Sequence, residues 1–198
     1  MPLFRQRETP VSKDLTILHF SSGFKQIRSQ LTPPTSPISS TLFVQTQDFT
    51  EFYNVDECVK FVENYLIEKG PFDGLLGFSQ GAILTAALAG MQVNGDALTS
   101  VPKLKFVVLI SGGRFGSNRF PGVPKLASNA YSSPIDCPSL HIIGDEDFMK
   151  EDGIALLNAF VEPVVVRHPK GHTVPRMEGE NLGTMLSFVD RIVDLCSL

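Results

Sequence analysis

The sequence predicts an α/β fold, a three-layer sandwich on a mostly parallel sheet. Three observations carry that prediction. Short runs at residues 72–76, 104–110, 139–143 and 163–168, apolar for most of their length, read as strands, and the run at 104–110 is of the kind buried on both faces. Helical patterns fall between them, giving the strand–helix alternation of a parallel sheet. The pentapeptide Gly77-Phe78-Ser79-Gln80-Gly81 joins an apolar run directly to a small-residue helical run.

Residues 1–13 are polar and charged and read as loose chain. Residues 15–20 are a strand candidate. Residues 29–40, rich in Ser, Thr and Pro, read as loop or disorder, and 42–45 as a short strand. The clearest helix follows. Asn54 stands as its N-cap, Glu57 lies three residues on, and Gly70-Pro71 ends it. Val55, Cys58, Val59, Val62, Tyr65 and Leu66 recur at helical spacing as its buried stripe. After the strand at 72–76, residues 80–91 form a helix that is small and apolar nearly all round, suited to packing close under the sheet. Residues 112–138 make a long excursion over one sheet edge. Arg114, Phe115, Arg119 and Phe120 lie in it, and a solvated loop is the simpler reading of them than substrate contact. The last helix, 182–195, presents Leu182, Met185, Leu186, Val189, Ile192 and Val193 as its packing face.

The chemistry is concentrated at the carboxyl ends of the predicted strands, where open parallel sheets place their sites. A serine on a sharp strand-to-helix turn is the setting of a nucleophile elbow. Gly77 and Gly81 are the residues such a turn needs, because a side chain at either would collide where strand and helix approach. The strain lifts the Ser79 hydroxyl clear and aims the Gln80 N–H at a reacting carbonyl. An acid and a histidine then follow in the required order. The loop after residue 143 offers Asp145, Glu146 and Asp147; Asp147, one turn past the strand end, is preferred and Asp145 is second. Of four histidines, His141 lies inside a strand, His168 ends one, and His172 follows Gly171 in a loop from which its ring can reach Ser79. His19 closes the first strand candidate. Ser79 as nucleophile, His172 as base and Asp147 as its orienting acid make a catalytic triad.

These residues carry a resemblance. The stretches around Gly74-Leu75-Leu76-Gly77-Phe78-Ser79-Gln80-Gly81-Ala82, His141-Ile142-Ile143-Gly144-Asp145-Glu146-Asp147 and Pro169-Lys170-Gly171-His172-Thr173-Val174-Pro175 resemble the FSH family of serine hydrolases, over about three quarters of the chain. Ala130-Tyr131-Ser132-Ser133-Pro134 and Asp48-Phe49-Thr50-Glu51 look most like its plant branch. The resemblance implies a lidless α/β-hydrolase core, esterase chemistry on small carboxylic esters of short to medium acyl chains, no cofactor, and a cytoplasmic or nuclear setting. An acyl-protein thioesterase, whose elbow also reads Gly-Phe-Ser-Gln-Gly, is a second reading.

The N-terminal part departs from the family. A Leu-His-Gly loop is expected to supply a second oxyanion amide, and Phe20 stands where that glycine belongs. The interval from His19 to Ser79 is shorter than the family's. Residues 16–19 fit either the family's first strand or, as 14–20, a later one, and both fits imply a core short of one strand and its helix, as a truncated or spliced product would be. Phe20 or Ser21 is then the second donor on offer. Losing one such donor costs on the order of 10²–10³ in turnover, so a catalytically impaired form that acts by binding is a third reading.

Composition sets outer bounds. With 42% hydrophobic and 19% charged residues, 198 residues suffice for a sizeable core in one serine hydrolase domain spanning 1–198. A net charge of −4 with no basic stripe argues against nucleic acid as a partner. Cys58, Cys137 and Cys196 are widely spaced, which fits reduced thiols better than a disulfide framework. No metal-ligand spacing, membrane span or signal-peptide pattern is visible.

Overall fold

The computed structural model describes residues 15–18, 26–28, 49–52 and 54–195, with side chains at 52 and from 54 onward. A five-stranded sheet carries the molecule. Its strands are β1 (Leu15–Leu18), β4 (Gly74–Phe78), β5 (Phe106–Ile110), β6 (Ser139–Gly144) and β7 (Val164–His168), adjacent in that order and all parallel. A separate antiparallel pair joins β2 (Gln26–Arg28) to β3 (Phe49–Phe52). The helices are α1 (Val55–Lys69), α2 (Gln80–Asn94), α3 (Lys150–Leu157) and α4 (Gly179–Leu195). The predicted α/β architecture is therefore present, and the β2–β3 pair, which the sequence reading did not anticipate, forms a second, two-stranded sheet.

β1 pairs directly with β4, so the strand that leads to Ser79 is flanked on both sides and its backbone groups are bonded. The readings of 1–13 and 29–40 as loose chain, of 42–45 as a strand, and of His19, Phe20 and Ser21 as a donor loop lie outside the described residues, as does Cys196.

Two apolar clusters cover the two faces of the sheet. One joins α1, α2 and α3 through Val59, Val62, Leu84, Leu88 and Leu156 to Leu75, Val107 and Leu109. The other sets Phe188 and Ile192 of α4 against Val108, Ile110, Leu140, Ile142 and Val166. Alternation along β5 sends successive side chains to opposite clusters, which is why that run shows no polar face, while β6 gives Leu140 and Ile142 to one cluster and carries Ser139 and His141 at the alternate positions.

Each helix adjusts the sequence reading. Asn54 does occupy the N-cap of α1, with φ 58°, but its side chain makes no capping bond. A left-handed backbone turns that side chain away from the amides it serves when the cap is extended. The buried stripe is Val55, Cys58, Val59, Val62 and Leu66. Tyr65 is not part of it; it is 42% exposed and stacks on Phe72 at 6.0 Å. In α2 every residue from Gly81 to Met91 is buried, as its composition requires. A Cβ on Gly90 would stand 1.8 Å from Ala130 O, so the helix meets the 112–138 excursion backbone to backbone. α3 lacked a sequence signal: it has eight residues, a glycine inside and no capping side chain.

The largest corrections concern α4 and the excursion. Phe188 and Ile192, with Met185 beside them, form the packing stripe of α4, whereas Leu182, Leu186, Val189 and Val193 are exposed. Two apolar stripes run along this helix at helical spacing, and only its tilt on the sheet selects between them. In the excursion, Phe115 and Phe120 are core residues at 3% and 2% exposure rather than parts of a solvated loop. Phe115 meets Phe52 edge-on at 4.7 Å, and Gly116 N–H donates to Phe120 O at 2.7 Å, closing a turn that tucks both rings inward.

Candidate active site

The turn between β4 and α2 is strained where the motif required it. Ser79 has φ 56° and ψ −120°, a conformation that costs a non-glycine residue of order 1–3 kcal/mol and survives only where its surroundings enforce it. The enforcement is local. Ser79 N–H donates to Ile110 O at 3.0 Å, and Ser79 O accepts the amides of Ala82 and Ile83, tying the residue to β5 and to the first turn of α2. A Cβ on Gly77 would stand 2.3 Å from Gly81 O, which explains why position 77 is glycine. Gln80 is the first residue of α2. Its amide therefore belongs to the opening turn of a helix whose peptide dipoles make that end favourable for negative charge.

The acid and base loops come together through their backbones. Asp145 N–H donates to His168 O at 2.8 Å and Glu146 N–H to Lys170 O at 3.3 Å. A Cβ on Gly144 would meet Lys170 O at 2.4 Å and Gly171 O at 2.8 Å. The contact brings Asp147 and His172 within bonding range. His172 Nδ1–H donates to Asp147 Oδ1 at 3.0 Å, with Oδ2 at 3.2 Å, and His172 Nε2 lies 2.9 Å from Ser79 Oγ. A carboxylate can only accept, so Nδ1 carries the proton and Nε2 is left to accept from the Ser79 hydroxyl. The Asp147 side chain is 1% exposed and Oδ1 also accepts from Met149 N–H at 2.8 Å, which fixes its rotamer.

The rival acids and histidines are placed elsewhere. Asp145 is exposed and paired with Arg167, whose hydrogen bond holds its carboxyl below the usual range. Glu146 is exposed, as expected. His141 is buried in β6 beside Ser139 Oγ at 3.0 Å and Phe160, and burial pushes its pKa down to about 4. His168 is buried at the end of β7, accepts Lys170 N–H through Nδ1, and is likewise lowered by burial. Burial raises the Cys58 and Cys137 thiols to about 11 and about 12, leaving both poor nucleophiles.

The rings that flank the histidine were not anticipated. Phe78 lies 5.0 Å from the His172 ring and Phe148 lies 4.5 Å from it. Phe148 is 55% exposed, and the Arg119 guanidinium sits over it at 5.5 Å. An aromatic immediately after the acid was the available signal, but its meaning depends on where the histidine loop lands. Among the described residues no three His, Cys, Asp or Glu side chains cluster so as to hold a metal ion, and no helix is long and apolar enough to cross a membrane.

A serine set on a strained strand-to-helix turn and bonded to a histidine–carboxylate pair, within a parallel α/β sheet, defines a serine-hydrolase class of site. The chain belongs to the serine hydrolase (FSH1) family, which it matches over residues 17–181. It is 31% identical over 155 residues to the Bos taurus protein named Esterase OVCA2, covering 77% of this chain and 64% of that one. It is 38% identical over 125 residues to Esterase AGAP003155 of Anopheles gambiae, covering 62% of this chain and 43% of that one. The chain thus spans less than two thirds of the length of the curated relatives it matches. Among solved structures it is similar to Arabidopsis thaliana SOBER1, with a TM-score of 0.45 and 25% identity over 70% of this chain and 64% of that one.

Proposed function

We propose that this chain hydrolyses carboxylic esters through an acyl-enzyme on Ser79. One observation carries the reading: Ser79 Oγ and His172 Nε2, 93 residues apart in sequence, stand 2.9 Å apart with Asp147 behind the imidazole. In this mechanism the imidazole takes the hydroxyl proton as Oγ attacks the ester carbonyl, and Asp147 stabilises the imidazolium that forms. The tetrahedral oxyanion develops beside the opening turn of α2, where Gln80 N–H donates to it. The imidazolium then protonates the departing alcohol, and water, activated by the same nitrogen, releases the acid. Relatives named as esterases support the assignment. The substrate class is a small ester of short to medium acyl chain, and the protein acts in the cytoplasm or nucleus.

A fluorophosphonate probe tests this. Wild-type protein should be labelled at Ser79, and Ser79→Ala should lose both labelling and p-nitrophenyl butyrate turnover while melting at the wild-type temperature. Folded wild-type protein that resists the probe and leaves the ester intact would overturn the assignment, and acyl-thioesters cleaved far faster than oxyesters would move it to a thioesterase.

A further inference from the structure

A cavity of about 320 Å³ lies between the loop after β5 and the first turn of α3, lined by Arg114, Ser117, Asn118, Arg119, Glu151 and Asp152 among others. That is the size of a small-molecule site. None of Ser79, His172 or Asp147 lines it. Its two cations are not equivalent. Arg119 is occupied: its Nε bonds Asp152 Oδ2 at 3.2 Å, while Ser117 Oγ–H donates to Asp152 Oδ1 at 2.8 Å. Arg114 has no such partner, for among the described residues no carboxylate lies within 4.0 Å of its guanidinium. Its Nε is sealed from solvent and has no acceptor. Its neighbour is the Tyr131 ring at 5.9 Å, and the Tyr131 hydroxyl is itself buried without a partner. The Arg114 Nε is closed to a ligand as well, so what the residue can present to the cavity it lines is the rest of its guanidinium fork.

We propose that this cavity is a carboxylate-binding subsite in which Arg114 receives the anion, and that the substrate is an ester bearing a second, acidic group. The guanidinium fork matches a planar carboxylate. Glu151 and the Arg119-paired Asp152 line the same cavity, so a singly charged carboxylate is accommodated where a doubly charged phosphate is repelled. The subsite adjoins the chemistry: Arg119 lies over Phe148, and the other neighbour of that ring is His172. The Arg119 side chain and the Phe148 ring thus link the cavity to the Ser79–His172 pair, and in this proposal one substrate spans both. The substrate half of this inference rests on Ser79 being the nucleophile; the binding half does not.

Two measurements test the halves separately. In isothermal titration of the wild-type protein, glutaramate, the singly charged monoamide of glutaric acid, should bind and inorganic phosphate should bind more weakly. Arg114→Ala should weaken glutaramate at least tenfold, and Glu151→Gln, which removes a like charge, should tighten it about two- to fivefold. No glutaramate binding, tighter binding of phosphate, or indifference to both substitutions overturns the subsite. Glu151 is exposed, so its variant remains readable if Arg114→Ala misfolds. In kinetics, the kcat/KM ratio of 4-nitrophenyl hydrogen glutarate to 4-nitrophenyl butyrate should fall at least tenfold in Arg114→Ala, and an unchanged ratio counts against the subsite. Wild-type protein that cleaves neither ester strikes the reading of Ser79 instead and leaves the titration to decide the cavity.

Discussion

A Cβ on Gly144 would stand 2.4 Å from the carbonyl oxygen of Lys170. The end of β6 and the loop after β7 touch backbone to backbone there, and the acid and the histidine lie a few residues beyond the contact on either side. Gly144→Ala must push these loops apart. The expected cost is about 1–3 kcal/mol of stability, the usual range for overpacking. Turnover should fall by on the order of 10²-fold, since about 1 Å of misplacement at a reacting group has that effect. Chemical denaturation and ester kinetics on the same sample measure both. A fully active Gly144→Ala protein would show that the loops are not held by this contact.

The two candidate acids are separable by substitution. Asp147→Asn removes the buried carboxylate that fixes the His172 tautomer and should lower kcat by on the order of 10³–10⁴. Asp145→Asn breaks only an exposed pair with Arg167 and should stay within about twofold of wild type. The reverse ranking in p-nitrophenyl butyrate assays would assign the role to Asp145.

Phe148 covers one face of His172 while more than half of its own surface is exposed. Phe148→Ala should therefore change catalysis more than stability. A ring pair of this kind contributes about 0.5–1.5 kcal/mol, which predicts a fall in kcat of about 2- to 10-fold with a melting temperature close to that of wild type. Phe148→Tyr, which keeps the ring, should recover most of the loss. A large drop in melting temperature would instead make Phe148 a structural residue.

Acid should destabilise the fold through buried histidine. Unfolded, His141 has the ordinary value of 6.5 and takes up a proton as the pH falls past it; folded, it resists until about 4. Between those values the unfolded chain binds a proton that the native chain does not, so stability is complete above about 6.5 and declines toward 4. At pH 5 the cost is about 2 kcal/mol from this residue. His168, lowered in the same direction, adds to it. Denaturant midpoints at pH 7.5 and 5.0 measure the slope, and His141→Gln should flatten it. An equal slope in that variant would trace the acid sensitivity to other groups.

The Ser79, Asp147 and His172 positions were legible in the sequence because each depends on a local cause. Steric exclusion at Gly77 marks the serine turn, and the end of an apolar run marks where each loop begins. The buried interior of α2 was legible for a similar reason, since no face of it is polar. The packing face of α4 was not, although the helix itself was. Its residues offer two apolar stripes, and periodicity cannot say which one the sheet will take. Phe115 and Phe120 were misread because a glycine- and proline-rich stretch looks solvated until the turn closed by Gly116 buries its rings. Phe148 and Arg119 gain meaning only from partners far along the chain, and no local pattern records such a meeting.

Enclosure of α2 on every side has a consequence for how the protein fails. Amides in a helix walled in this way exchange with solvent only when the whole cooperative unit opens. The turn holding Ser79 is the first link of that helix, bonded to it through Ala82 and Ile83. The reactive oxygen is therefore moored to the slowest-opening part of the molecule, while its acid and base ride on surface loops. On warming, ester turnover should fade as those loops loosen, before the serine itself loses its shape.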